Sequence, residues 1–329
     1  MRAVAMRVSS VVLPVPGPPS TRTRPRSPGS VRASGDGTAG VGAGGMGMRR
    51  MTPRGSDTSA SVEAGSIGRV TQSLNTHRFG PPGPARVLAV HGLTGHGRRW
   101  QSLAEQHLAD VAVLAPDLIG HGRSSWDAPW TIDANTAALA ALLDAEGGAP
   151  VVVVGHSFGG ALALNLAAAR PDLITALVLL DPAVALDGAR MREIADEMYA
   201  SPDYTDREEA RQEKVNGSWG EVDPVEVERE LDEHLVPLPN GRVGWRIGIP
   251  AMLCYWSELT RAVTVPRDGT PTTLVRATKV QPPYATDELV EALDTGLGDD
   301  FTLLEWDCDH MVPLARPAET AAVIRDRLG

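Results

Sequence analysis

The stretch VVVVGHSFGGALALNLAAA, residues 151–169, joins four consecutive valines, the turn Gly155-His156-Ser157-Phe158-Gly159 and a run rich in alanine and leucine. Four β-branched residues in a row suit a strand buried on both faces, and the run after the turn consists of helix formers with no breaker. The spacing therefore predicts strand, sharp turn, helix. A side chain at the apex of such a turn sits on strained backbone, and flanking residues without Cβ let neighbouring chain approach closely. A serine at that apex presents its hydroxyl at the end of a sheet, over a helix N-terminus that favours developing negative charge.

The same grammar extends outward. Short apolar runs read as strands: VLAVH (87–91), VAVLAP (111–116), ALVLLD (176–181), TTLVRA (272–277) and FTLLEW (301–306). Helical spacing occupies Ile132–Leu143, Ala161–Ala169 and Ala318–Leu328. Near-continuous Val/Leu strands alternating with helices define an α/β protein with a mostly parallel central sheet flanked by helices. From Pro182 to about Asp268 the alternation stops, and the segment reads as several helices with no strand between them. The expected organisation is a basic low-complexity arm over 1–70, a first core part over 71–182, a helical cap over 183–268 and a second core part over 269–329.

Charge separates the arm from the rest. Residues 1–70 hold ten arginines against three acids, whereas the remainder holds 21 basic and 38 acidic groups. An acidic body repels phosphates, which excludes nucleic acid as a partner. The arm is dense in Pro, Gly, Ser and Arg and shows no apolar period, so it reads as disordered. Met46, Met48 and Met51 are alternative starts behind it. No apolar run reaches the roughly 18 residues that a membrane span needs. Cys254 and Cys308, the only cysteines, form no disulfide framework or zinc spacing, which fits a reducing cytoplasm.

Four motifs, in this order along the chain, carry a resemblance. They are His91-Gly92-Leu93-Thr94-Gly95 with Trp100 after it, Asp117-Leu118-Ile119-Gly120-His121-Gly122-Arg123-Ser124, the Ser157 turn, and Cys308-Asp309-His310-Met311-Val312 before Arg316-Pro317. Over about residues 74–329 the chain resembles the α/β-hydrolase superfamily, in its serine-nucleophile, capped, esterase- or haloperoxidase-like branch. The resemblance implies Ser157 as nucleophile, His310 as general base, and the backbone N–H groups of Leu93 and Phe158 as oxyanion hole. His91 and His121 read as organisers of their loops.

The triad acid departs from the pattern of many members, because the stretch after TTLVRA contains no carboxylate. Asp181, at the end of LVLLDP, is the first candidate, since some relatives place their acid there. Asp287, which looks like a helix N-cap, is another candidate, and a Ser–His dyad or a different acid stays open.

A serine nucleophile disfavours the epoxide and haloalkane chemistry of similar scaffolds, whose alkyl-enzyme ester requires a carboxylate. It suits acyl transfer to water, with carbon–carbon bond hydrolysis and peracid formation open at the same site. The expected enzyme is a carboxylesterase-like hydrolase with no organic cofactor and no metal, acting on a small, mostly apolar ester. A catalytically weak binding protein is the competing reading. Trp219, Trp245, Tyr255 and Trp256 are the expected substrate-binding residues of the cap. The charged run Asp206–Lys214 reads as a solvated helix face.

Overall fold

The computed structural model describes residues 73–329, so the arm expected over 1–70 lies outside the described residues. Nine strands occur in chain order among them: β1 (Thr76–Phe79), β2 (Val87–Val90), β3 (Val113–Pro116), β4 (Val151–His156), β5 (Ile174–Leu180), β6 (Leu235–Pro237), β7 (Val243–Trp245), β8 (Thr272–Ala277) and β9 (Phe301–Trp306). Seven of them form one sheet in the order β1-β3-β2-β4-β5-β8-β9. Only β1 runs antiparallel within it.

The valine run explains why this sheet is covered on both sides. Val151 and Val153 of β4 point into one apolar cluster and Val152 and Val154 into the other. Leu177 and Leu179 alternate with Ala176, Val178 and Leu180 in the same way along β5. On the first face lie α2 (Ile132–Ala145), α3 (Phe158–Ala169) and α8 (Asp287–Leu297), and on the second α1 (Gln101–His107) and α10 (Pro317–Leu328). Each buried Val or Leu contributes about 1.5–3 kcal/mol relative to exposure.

Strand order reverses between β2 and β4. Crevices outside the carboxyl ends of strands at such a switch point are where open α/β sheets bind ligands. The loop after β2 begins at His91 and the turn after β4 holds Ser157, so both motifs converge there. Asp181 follows β5 directly, with its N–H on the carbonyl of Val275 in β8 at 2.7 Å, and His310 follows β9.

Between β5 and β8 the chain adds nothing to the large sheet. It forms α4 (Gly188–Ala200), α5 (Arg207–Asn216), α6 (Pro224–His234) and α7 (Ile249–Glu258). Two expectations need correction. The insert contains a short antiparallel hairpin, β6–β7, where helices alone were expected; its three-residue strands are too short to show a period. It also follows the fifth strand of the described chain rather than the sixth, even with the edge strand β1 counted.

Candidate active site

Ser157 caps α3 with φ 53° and ψ −119°, a left-handed conformation that costs a non-glycine residue roughly 1–3 kcal/mol. The surroundings hold it there. Its N–H bonds the carbonyl of Leu180 at 3.1 Å, and its own carbonyl accepts from Gly160 and Ala183 at 2.8 and 3.1 Å. The glycines answer to close approach: a Cβ on Gly155 would stand 2.3 Å from the carbonyl oxygen of Gly159, and one on Gly159 would stand 2.3 Å from that of Val90.

His310 Nδ1 donates to Oδ2 of Asp181 at 2.6 Å. Asp181 is fully buried at φ 42°, and its other oxygen accepts the N–H of Ala277 at 3.2 Å. Asp287 stands apart from this arrangement. It is the first residue of α8, capped by Thr286, which takes the N-cap role expected of Asp287; its carboxylate pairs with Arg276 at 2.7 Å.

The His310 loop is fixed from several sides. Its N–H bonds Asp309 Oδ1 at 2.7 Å, and its carbonyl accepts from Nε2 of His156 at 2.8 Å. His156 and Tyr284 flank its ring, with centroids 4.8 and 4.2 Å away. Burial, and then the neighbouring His310, hold the pKa of His156 well below the ordinary value, so His156 stays neutral. Cys308 is buried, and burial pushes its thiol up to about 11, which suits a core residue and not a nucleophile.

On the loop after β2, Leu118 N–H donates to Nε2 of His91 at 3.0 Å, so Nδ1 carries the proton and donates to the Gly92 carbonyl at 2.8 Å. His121 donates through Nδ1 to the carbonyl of Ile119 at 3.0 Å. Phe158 is the first residue of α3, where N–H groups have no intrahelical acceptor.

Ser157, His310 and Leu93 line one cavity of about 470 Å³. Its aliphatic wall comes from Ile194 and Met198 of α4 and from Ile249 and Leu259 in and just after α7. Trp219, Trp245 and Trp256 line it as well. Tyr255 does not; it is fully buried, with its hydroxyl between Asn135 and the carbonyl of Ile119 and its ring on Phe158. Trp256, one residue on, is half-buried and turns towards the cavity.

The far wall was not legible in sequence. Lys214, expected on a solvated face, is 8 % exposed and sits over the rings of Trp219 and Trp245 at 4.3 and 4.1 Å. Burial lowers its pKa to about 8, against the pull of Glu230. His96 Nε2 meets the same Glu230 at 2.9 Å. Among the described residues no group of three His, Cys, Asp or Glu side chains is placed to hold a metal ion, and no helix is long and apolar enough to cross a membrane.

The alpha/beta hydrolase family model matches residues 87–323, and the chain belongs to that family. Lipase LipV of Mycobacterium tuberculosis (strain ATCC 25618 / H37Rv) is 65 % identical over 256 residues, covering 78 % of this chain and 98 % of the relative. Among solved structures, E-2-(acetamidomethylene)succinate hydrolase aligns with a TM-score of 0.67 at 18 % identity, over 79 % of this chain and 96 % of that one. A marine microorganism esterase aligns with a TM-score of 0.63 at 20 % identity, over 78 % and 99 %.

Proposed function

We propose that the chain is a serine hydrolase that cleaves carboxylic esters through an acyl-enzyme on Ser157. The hydrogen bond of 2.6 Å from His310 to Asp181, beside a serine on a strained turn in the same cavity, carries this reading. His310 takes the Ser157 proton as the hydroxyl attacks the ester carbon, and returns it to the departing alcohol. Asp181 fixes the imidazole with Nδ1 protonated and stabilises the imidazolium. The N–H groups of Leu93 and Phe158 receive the oxyanion, each donor being worth about 2.7–4 kcal/mol in the transition state. Water then opens the acyl-enzyme by the same steps.

The aliphatic wall on α4 and α7 supports a substrate with an apolar, short to medium acyl chain, and the 65 % identical relative, named a lipase, supports ester hydrolysis. We place the enzyme in the cytoplasm, to which its two free thiols are suited. A series of p-nitrophenyl esters from acetate to palmitate tests the reading. Turnover should be highest at short or medium chains and fall by about 10⁴-fold or more in Ser157→Ala. Turnover that survives the substitution, or none with any ester, would overturn it.

A further inference from the structure

Glu230 lies on α6 of the insert, 3 % exposed, yet keeps its charge: burial would raise its pKa, and Arg99, Lys214 and His96 together hold it well below the ordinary range. Arg99 bonds it twice, from Nε at 3.0 Å and from Nη2 at 2.6 Å. Lys214 Nζ is 3.2 Å from Oε1, and His96 Nε2 is 2.9 Å from Oε2. A carboxylate this deeply buried persists only when paired and hydrogen-bonded.

Arg99 belongs to the turn that follows the oxyanion loop, and its Nη2 also donates to the carbonyl of Thr94 at 2.9 Å. Thr94 has φ 58°, a conformation that neighbouring contacts must hold. A peptide unit is planar, with C=O and N–H pointing opposite ways, so fixing one aims the other. The Thr94 carbonyl shares its plane with the N–H of Gly95, which donates to the Gly92 carbonyl at 3.1 Å. The Gly92 carbonyl in turn shares its plane with the N–H of Leu93. Two rigid peptide planes therefore connect Arg99 to the proposed oxyanion donor.

We infer that Glu230 is a positioning residue for the oxyanion loop: it holds Arg99, Arg99 holds the Thr94 carbonyl, and the two peptide planes aim the Leu93 N–H at the reacting carbonyl. Assembly of the oxyanion hole then depends on a residue of the insert as well as on the sheet. The inference rests on the serine-hydrolase reading above.

The test uses Arg99→Lys and Glu230→Gln in the full chain, with kcat expressed per site titrated by a fluorophosphonate. Each variant should lose about 10- to 100-fold in kcat, the scale of a displaced oxyanion donor, with KM within about threefold of wild type. Affinity for a trifluoromethyl ketone, which forms the tetrahedral adduct, should fall by the same factor. Arg98→Ala breaks the neighbouring surface pair with Glu233 and should change neither quantity. Unchanged kcat per titrated site, or a raised KM at constant kcat, would overturn the inference. Should Glu230→Gln fail to fold, Arg99→Lys decides alone, because it keeps a cation against Glu230. Wild type that does not label would sink the hydrolase reading itself, whereas labelled wild type with indifferent variants would sink only the inference.

Discussion

Asp181 and His310 are 129 residues apart in the chain, and Oδ2 of one meets Nδ1 of the other at 2.6 Å. Adjacent parallel strands make this possible: β5 delivers Asp181 beside β8, and β9, paired to β8, delivers the loop of His310. Because Asp181 is fully buried, its carboxylate has little to bond besides the imidazole and the Ala277 N–H.

Asp181→Asn should lower kcat by about 10⁴-fold, since an amide no longer selects the tautomer in which Nε2 can accept the serine proton. KM should move little. Steady-state rates on a short p-nitrophenyl ester check this, and a loss under tenfold would return the acid to another carboxylate or to a dyad.

Gly159→Ala places a Cβ 2.3 Å from the Val90 carbonyl, which is backbone of a buried strand and cannot swing aside. We expect a loss of about 1–3 kcal/mol or more in urea unfolding. Gly188→Ala, whose Cβ meets nothing within 4 Å, should stay within about 0.5 kcal/mol of wild type or gain slightly. Equal effects at the two positions would contradict the close-approach argument.

Burial depresses the pKa of His91, His121, His156 and His234, in the case of His121 to about 4. On unfolding each returns to the ordinary value near 6.5, so below that pH the unfolded chain binds more protons than the folded one. The stability these groups contribute is fully present above about pH 6.5 and is lost as pH falls towards their folded values. Urea midpoints at pH 7.5, 6 and 5 should fall in that order; a flat series would show that these rings ionise in place.

The sheet was legible because its strands are buried on both faces, which leaves unbroken Val/Leu runs that the eye can segment. β1 was not, since THRF is half exposed at an edge and carries no such run. Ser157, His310 and Asp181 could be read as candidates because each sits at the end of a strand or on the loop beyond one, where chain order nearly dictates position. The buried cluster of Arg99, Lys214 and Glu230 could not. Lys214 lies in a run dense in charge, and what buries it is the packing of α5 against Trp219, just past the helix, and Trp245 of the hairpin. Tyr255 and Trp256 show the same limit: composition marks both as cap aromatics, and only the helix phase decides which one faces the cavity.

The account turns on whether Ser157 is an activated nucleophile. Labelling the full chain with a fluorophosphonate, followed by peptide mapping, asks this without assuming a substrate. The account predicts a single adduct, on Ser157, that is absent from Ser157→Ala and slowed in Asp181→Asn. Folded protein that takes up no label, or an adduct that persists after Ser157→Ala, would contradict it.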